Sequence, residues 1–411
     1  MAAALSGRVL AWGVPLAAEA AALGRSVVLA RMVGPDELGR AMLLALTLRL
    51  AEMISDIGIE RLLVQSPRGD APGFVAALQG AAALRGLAIA ALMLALAWPM
   101  SAGFADGPAV LAYAALALVP LMRGLSHLDY RRMERAYRYG PMAVVEGGAA
   151  LAMLLGAVAG ALVLGDHRAI VAALLTQGLA HVALSHVVAG RAFALGFDGQ
   201  VLREAWGFGA PLILNAGLMF LTFQADRLIV AGYFTWDAVA LYAVAFQLAL
   251  LPAQITSRAA ASLLAPRMRD ALAQGALPAT ARTALGLHAL MAASFALGFA
   301  LLAPVLVALV YGAELRPDMA LATGLALAAG FRILRTPLSQ LALVTGRTGD
   351  PARANLWRAA ALIPALGCAA AGLPLAALAW AAAMGEAAAT ARALALAAPV
   401  LRPHPVSEVP A

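Results

Sequence analysis

Three ionisable side chains lie close together within one long apolar stretch of this chain. Arg49, Glu52 and Asp56 occupy positions i, i+3 and i+7, a spacing that places all three on one face of a helix. A charged residue at membrane depth is costly, so by default it marks a functional site or a paired structural site. Arginine can hold a phosphate through paired N–H donors, and a carboxylate beside it can exchange a proton or bind Na⁺. The simpler interpretation is that the three charges neutralise one another and clamp helices together.

Similar residues recur in the other apolar stretches. As substrate-binding residues we predict Arg25, Arg49, Arg85, Asn215, Arg332 and Arg335. As ion-coupling residues we predict Glu19, Glu52, Asp56 and Asp226. Asp226 and Arg227 are adjacent near the outer end of their predicted helix, which favours a structural ion pair. Glu146, His288 and Glu386 stand alone, and snorkelling or packing explains each of them at least as well as a function.

The sequence shows no pattern typical of a metal or cofactor site. Its one cysteine, Cys368, lies in an apolar stretch and can form no intrachain disulfide. His181 and His186 are five residues apart, which does not place them on one helical face, and no Cys/His group has zinc-ligand spacing. We therefore expect no metal and no cofactor, apart from a coupling ion, H⁺ or Na⁺.

The elements that carry these residues are predicted membrane helices. The 411 residues are 63% hydrophobic and 12% charged, whereas about a quarter of the residues of a soluble domain are charged. Roughly 20 apolar residues span a bilayer, so the chain has room for about a dozen helices. Apolar runs bounded by Arg, Pro, Gly and Asp predict helices at 8–33, 39–57, 74–99, 108–125, 141–164, 168–189, 206–232, 236–257, 282–311, 318–345, 354–373 and 375–400.

The loops between these helices differ in charge from one side of the membrane to the other. All 29 cationic side chains are arginines, and most of them fall in the loops and tails of one side. The other side holds Arg31, Arg40, Arg168 and Arg316. Because cytoplasmic loops are enriched in Lys and Arg, both termini are predicted to lie in the cytoplasm of a bacterial cell, with the chain in the inner membrane. No basic stripe with interleaved aromatic residues exists, which excludes a nucleic-acid-binding face.

A weak internal repeat suggests two halves. The segment 12–16, Trp-Gly-Val-Pro-Leu, resembles the segment 208–212, Phe-Gly-Ala-Pro-Leu, and each places a proline early in the first helix of a half. Polar residues concentrate in a few helices, which can enclose a hydrated cavity. We therefore predict an all-α integral membrane protein of about 12 transmembrane helices. These helices form two pseudo-twofold-related six-helix lobes, residues 1–195 and 196–411, around a central cavity, with a hinge at 190–205.

Three motifs resemble a known family. The segment 29–39, Leu-Ala-Arg-Met-Val-Gly-Pro-Asp-Glu-Leu-Gly, resembles the first-loop signature of bacterial polysaccharide flippases, which belong to the multidrug/oligosaccharidyl-lipid/polysaccharide exporter superfamily. The segment 56–65 is similar to the motif that ends helix 2 in that family. The segments 226–234 and 241–245 resemble the opening of its second lobe. Two departures are Ala240, where the family usually has Gly, and the absence of lysine.

The resemblance implies a transporter and not an enzyme. Its implied substrate is an oligosaccharide linked to undecaprenyl diphosphate, moved from the cytoplasmic to the periplasmic leaflet for the synthesis of lipopolysaccharide or exopolysaccharide. The implied mechanism is alternating access around a cationic cavity, driven by an ion gradient as in an antiporter. A polysaccharide polymerase and glycosyltransferases are the implied protein partners.

Two alternatives remain open. One is a multidrug or peptidoglycan-precursor exporter of the same superfamily, although a drug exporter would favour an acid-rich cavity and here arginines are at least as numerous as acids. The other is an integral-membrane glycosyltransferase or polymerase. Such enzymes need a sizeable external loop, and the predicted outer loops at 101–107, 165–168 and 312–318 are very short.

Overall fold

The computed structural model describes residues 2–401, with the side chains of all of them except 2–12, 15, 211, 214, 215, 218, 222 and 223. All the regular structure in this part is helical, which confirms the predicted all-helical membrane fold. Each of the twelve predicted segments coincides with one helix or with two consecutive shorter ones. Within the described residues, six helices are long and apolar enough to cross a membrane, or up to seven if a bent pair counts as one span. The helix Pro35–Met53 carries five charged residues and is therefore too polar to be one of these six.

The chain divides into two compact units, unit 1 (residues 1–220) and unit 2 (residues 221–411). The division falls inside one continuous helix, Gly199–Tyr233. The lobe boundary at residue 195 and the pseudo-twofold relation stay predictions.

Unit 1 contains nine helices and the first part of a tenth. They are α1 (Ala2–Val33), α2 (Pro35–Met53), α3 (Ile59–Gln65), α4 (Pro72–Ala102), α5 (Val110–Leu116), α6 (Leu118–Gly124), α7 (Asp129–Arg135), α8 (Gly140–Leu164), α9 (Arg168–Val187) and α10 (Gly199–Tyr233). Gly34 precedes α2 with a φ of 84°, and Gly58 precedes α3 with a φ of 68°. Residues with a Cβ rarely adopt this backbone conformation, which explains glycine at both positions. Pro35 follows at the first helical position of α2, where its missing N–H costs no hydrogen bond.

The apolar core of unit 1 includes several clusters of buried residues. Around Ala150, Met153 and Ala157, the helices α1, α8 and α9 pack through small residues. In another cluster, α3 and α4 pack against the start of α10 through Leu63, Leu78 and their neighbours. The beginning of α10 therefore belongs structurally to unit 1.

Unit 2 contains the rest of α10 and seven further helices. They are α11 (Trp236–Ala259), α12 (Ala265–Ala273), α13 (Leu277–Tyr311), α14 (Met319–Val344), α15 (Asp350–Ala360), α16 (Leu362–Ala370) and α17 (Leu375–Leu401). A π-helical turn, Ala260–Leu264, joins α11 to α12, and Asp318 caps α14 by accepting a hydrogen bond from the N–H of Leu321 at 2.7 Å. Buried leucine and alanine side chains of α13, α14 and α17 form one core cluster of this unit. Leucines 287, 290, 297 and 301 of α13 are exposed, as expected for a helix that faces lipid.

Candidate functional site

Arg25 lies half-buried on α1 with no carboxylate paired to it among the described residues. Its Nη1 donates to the sulfur of Met153 on α8 at 3.3 Å, and its buried Nε has no acceptor in the part of the chain that the structure describes. The neighbouring charge that acts on Arg25 is that of Arg49 on α2, another cation. The positive charge of the Arg25 guanidinium is therefore not neutralised by any carboxylate in the described part of unit 1.

Arg49 and Arg85 also have no carboxylate partner among the described residues. Arg49 is exposed on α2 and forms no ion pair with any described residue. Arg85 of α4 donates from Nη2 to the backbone carbonyl of Glu52 at 3.3 Å, which satisfies a donor and leaves the charge unneutralised. Three predicted substrate-binding arginines, on α1, α2 and α4, thus remain without a described carboxylate partner, a charge pattern suited to an anion.

Two of the predicted coupling acids are engaged with residues other than Arg49. Glu52 pairs with Arg123 of α6 at 3.0 Å, and Asp56 accepts a hydrogen bond from the N–H of Gly58 at 2.9 Å and so shapes the turn before α3. The structure ends α2 at Met53, so Asp56 does not share the helical face of Arg49 and Glu52 that the spacing predicted, and none of the described ion pairs joins these three residues. Glu19 lies half-buried on α1, and Asn215 lies outside the residues whose side chains are described.

Unit 2 gathers three arginines around one buried carboxylate. Glu386 of α17, 1% exposed, lies 2.6 Å from Arg332, 3.0 Å from Arg335 and 2.7 Å from Arg358. Nη1 of Arg335 also donates to Asn355 of α15 at 2.7 Å. We call Arg332, Arg335, Arg358 and Glu386 the Glu386 cluster.

The Glu386 cluster corrects one expectation and shows the partner of two predicted substrate-binding residues. Glu386 does not stand alone, and Arg332 and Arg335 are already bound to it, so the structure brings them to a carboxylate partner as well as to each other. Arg358, which the sequence analysis did not single out, is as buried as Arg335. Arg332 and Arg335 are three residues apart and so share a helical face, but nothing in the sequence indicates which acid would meet them.

The predicted coupling residue Asp226 is buried on α10. It accepts hydrogen bonds from the hydroxyl of Tyr242 at 2.9 Å and from the N–H of Arg227 at 2.9 Å. The guanidinium of Arg227 donates to Gln224 at 2.6 Å and lies over the ring of Phe246. These contacts lie within α10 and between α10 and α11.

A second shared charge lies in unit 1, where sequence reasoning expected a lone acid. Glu146 of α8 is 2.8 Å from Arg131 of α7, which also contacts Glu60 at 2.7 Å and Glu134 at 3.2 Å. We call Glu60, Arg131, Glu134 and Glu146 the Arg131 cluster. The third residue expected to stand alone, His288, is buried and contacts the carbonyl of Ala284 at 2.8 Å, which fits a packing role.

A hydrogen-bonded network supports the turn between α6 and α7. Asp129 is fully buried and accepts from Nε of Arg132 at 2.6 Å and from the N–H of Gly190 at 2.8 Å. Burial alone would raise the pKa of Asp129, but these donors outweigh it and hold the pKa below its usual value. Burial lowers the pKa of His127, whose Nδ1 accepts from the N–H of Asp129 and whose Nε2 donates to the carbonyl of Arg191. The network thus combines an ionised aspartate with a neutral histidine, and it fixes the segment after α9 to unit 1.

One described group has the composition of a metal site. Ligand atoms of Glu37, Asp166 and His167 lie within 4.8 Å of one another. Glu37 already binds His167 at 2.7 Å and Arg40 at 2.6 Å, and Asp166 binds Arg168 at 2.7 Å. Burial would raise the pKa of Asp166, but the donors of Arg168 lower it, so the charges are balanced within the protein.

Solved structures with the same fold are membrane transporters. The lipid II flippase MurJ in an inward closed conformation aligns over 96% of this chain and 87% of its own, with a TM-score of 0.72 and 12% identity. An inward-facing multidrug resistance MATE family transporter of the MOP superfamily aligns over 93% and 94%, with a TM-score of 0.65 and 14% identity. A point mutant of the Vibrio cholerae MATE transporter VcmN aligns over 98% and 97%, with a TM-score of 0.56 and 16% identity. At these identities the likeness establishes the fold.

The family follows from the sequence itself. No curated protein matches the chain. The family model described as polysaccharide biosynthesis protein matches residues 28–317, which is well over half of the 411 residues and includes all three motifs that suggested a polysaccharide flippase. This multi-pass membrane chain, with the fold of MOP-superfamily transporters, belongs to the polysaccharide biosynthesis protein family.

Proposed function

We propose that this protein flips an undecaprenyl-diphosphate-linked oligosaccharide from the cytoplasmic to the periplasmic leaflet of a bacterial inner membrane. The observation that carries the proposal is the set of three arginines in unit 1, Arg25, Arg49 and Arg85, that have no carboxylate partner among the described residues. The family match to polysaccharide biosynthesis supplies the pathway, and the fold shared with a lipid II flippase supplies the type of movement.

The charge of the site favours a diphosphate. A diphosphate offers several anionic oxygens, and guanidinium groups bind such oxygens through pairs of parallel N–H donors. In a region of low dielectric constant, an arginine without a counter-ion is costly until an anion arrives. Binding of the charged headgroup removes this cost, which makes the binding more favourable.

Transport against a gradient needs an energy source. We propose alternating access driven by H⁺ or Na⁺, with Glu19, Glu52, Asp56 and Asp226 as the starting set of coupling carboxylates. Among the described contacts, Glu52 is paired with Arg123, whereas Asp226 meets a hydroxyl and a backbone N–H, so Asp226 is the stronger candidate of these two. A polymerase and glycosyltransferases would act before and after the flipping step as functional partners.

The second candidate function is export of the peptidoglycan precursor. It is favoured by the likeness to the lipid II flippase, and its headgroup diphosphate would suit the same arginines. A multidrug exporter is less consistent with the charges, because an organic cation would be repelled by three unneutralised arginines.

The test is a transport assay with purified protein in proteoliposomes. Three probes are compared: radiolabelled undecaprenyl-diphosphate oligosaccharide, lipid II and an organic cation. Loss of one guanidinium–phosphate contact costs about 1.5–3 kcal/mol, so Arg25→Ala and Arg49→Ala are expected to weaken binding of the oligosaccharide lipid by about tenfold or more. Arg316→Ala is the control, since Arg316 is exposed in the short connection between α13 and α14.

The outcomes separate the alternatives. Transport of lipid II but not of the oligosaccharide lipid would assign the chain to precursor export. Transport of the organic cation would contradict the proposal, and wild-type affinity in both arginine variants would remove these residues from the substrate site.

A further inference from the structure

The helices α1 and α8 approach each other closely beside Arg25. A methyl group added to Gly24 would lie 3.1 Å from a side-chain carbon of Leu154, so little space remains between the two helices at this level. Alanine side chains and Met153 of α8, which is 3% exposed, form the buried contact. Because the helices are so close, the side chain of Arg25 meets α8 at Met153.

The sulfur of Met153 is the acceptor that this contact offers to Arg25. Met153 shares one face of α8 with Ala150 and Ala157, since the three residues are spaced i, i+3 and i+7. Of these three side chains, the thioether is the one that can accept a hydrogen bond, and Nη1 of Arg25 donates to it at 3.3 Å. Thioether sulfur is a weak acceptor without charge, so the contact fixes the direction of the guanidinium and leaves its positive charge intact.

Arg85 is held in the same manner. Its Nη2 donates to the main-chain carbonyl of Glu52 at 3.3 Å, and this oxygen is uncharged. The buried Nε atoms of Arg25 and Arg85 have no acceptor in the part of the chain that the structure describes. In unit 2, by contrast, three arginines share the carboxylate of Glu386. Unit 1 thus holds two of its predicted substrate-binding arginines through neutral acceptors.

A carboxylate at position 153 would satisfy Arg25 more completely than a thioether does. Hydrogen bonds between charged groups are about twice as strong as those between neutral groups, and a glutamate side chain is similar in length to that of methionine. Such an ion pair would compete with an incoming phosphate for the same N–H donors. A neutral acceptor avoids this competition, which favours ligand binding over stability as the reason for the contact.

We propose that Met153 is a positioning residue of the substrate site, whose sulfur orients the Arg25 guanidinium for the diphosphate without neutralising it. The proposal rests on the proposed function, and it adds an uncharged residue to the site. Met153 acts through Arg25 and does not itself contact the substrate.

Three substitutions at position 153 test this role. Met153→Leu keeps the volume and removes the acceptor, so the Kd of the diphosphate lipid should rise about threefold. Met153→Gln supplies another uncharged acceptor and should restore the Kd to within about twofold of the wild-type value. Met153→Glu supplies a charged acceptor that pairs with Arg25, so the Kd should rise about tenfold or more. The probe is radiolabelled undecaprenyl-diphosphate oligosaccharide, bound to the full chain in nanodiscs.

The order of these variants distinguishes positioning from packing. If Met153 only fills space, leucine is the best replacement and glutamine, a buried polar group, is worse. If it positions Arg25, glutamine binds the lipid more tightly than leucine does. Thermal unfolding of each variant shows whether it is folded, and the comparison of leucine with glutamine decides even where Met153→Glu does not fold.

Met142→Leu is the matched control. Met142 lies on the same helix, is 6% exposed and packs in an apolar cluster with Tyr130 and Val145. It should bind the lipid with the wild-type Kd. In an Arg25→Ala background, Met153→Leu should cause no further loss of affinity, because both residues act through one contact.

A measurement without substrate tests the contact itself. In arginine side-chain NMR spectra of the full chain, the Nε–H signal of Arg25 is identified by its loss in Arg25→Ala. This signal should shift in Met153→Leu and keep its position in Met142→Leu.

Three results would overturn the positioning role. They are wild-type affinity in Met153→Leu, weaker binding by Met153→Gln than by Met153→Leu, and an Arg25 signal that Met153→Leu leaves unchanged. Wild-type protein that binds no diphosphate lipid would instead contradict the proposed function, while the NMR comparison would still decide whether Met153 orients Arg25.

Discussion

At the scale of single residues, each unit has a charged side chain that pairs with three side chains of opposite charge. In unit 1 Arg131 meets three glutamates, and in unit 2 Glu386 meets three arginines. Removing a charge from water costs several kcal/mol, roughly, and an ion pair offsets that cost only while both partners remain. The central residue of each cluster should therefore matter more for stability than any residue at its rim.

The Glu386 cluster gives this argument a direct test. Glu386→Gln removes the carboxylate that all three guanidiniums share, and loss of one partner of a buried pair costs about 3–5 kcal/mol. Arg358→Met removes one of three cations and leaves Glu386 with two, so we expect a smaller loss, below about 2 kcal/mol. The two variants are compared by thermal unfolding in the same detergent, followed by tryptophan fluorescence. Equal losses, or a larger loss in Arg358→Met, would contradict the central role of Glu386.

At the scale of elements, α4 is held close to the segment between α9 and α10 by glycine. The N–H of Gly196 donates to the carbonyl of Ala76 at 2.8 Å, and a methyl group added to Gly80 would collide with the carbonyl oxygen of Gly196. The backbone contact leaves no room for a side chain at this point of α4, so the segment that leads into α10 is fixed against unit 1.

Substitution of Gly80 tests this contact. Gly80→Ala should destabilise the protein by about 1–3 kcal/mol, because the collision is with backbone that cannot rotate away. Gly73→Ala is the control on the same helix, since no atom lies within 4 Å of the added methyl group. It should be neutral or stabilising by up to about 1 kcal/mol. Both effects are read from thermal unfolding, and a Gly80→Ala protein as stable as the wild type would show that the segment can shift.

The positions of the helices were predictable from the sequence, whereas the ion pairs between their side chains were not. The apolar runs predicted the positions of α8, α9 and α14 to within a few residues, because the ability of a segment to span a bilayer depends on its local composition. The pairing of Arg131 with Glu146 or of Arg332 with Glu386 depends on which helices become neighbours, over separations of 15 and 54 residues. Arg25, Arg49 and Arg85 were predicted as substrate-binding residues together with Arg332 and Arg335, and only the fold shows that no described carboxylate pairs with the first three.

At the scale of the whole molecule, the arginine bias predicts the orientation of the chain. The loop between α13 and α14 is predicted to lie outside and the loop between α12 and α13 inside. In a Cys368→Ser background, Glu314→Cys should react with a membrane-impermeant thiol reagent in intact cells and Gln274→Cys should not. Both positions are exposed, so accessibility within the protein does not distinguish them. The reverse labelling pattern would show that unit 2 has the opposite orientation.

The clusters around Arg131 and Glu386 carry opposite surpluses of charge. Three glutamates meet one arginine in the first, and three arginines meet one glutamate in the second. Dissolved salt weakens the attraction between exposed charges far more than the attraction between buried ones. Because the side chain of Glu60 is 48% exposed and that of Glu386 is 1% exposed, a rise in ionic strength should loosen ion pairs within residues 1–220 before it affects those within residues 221–411.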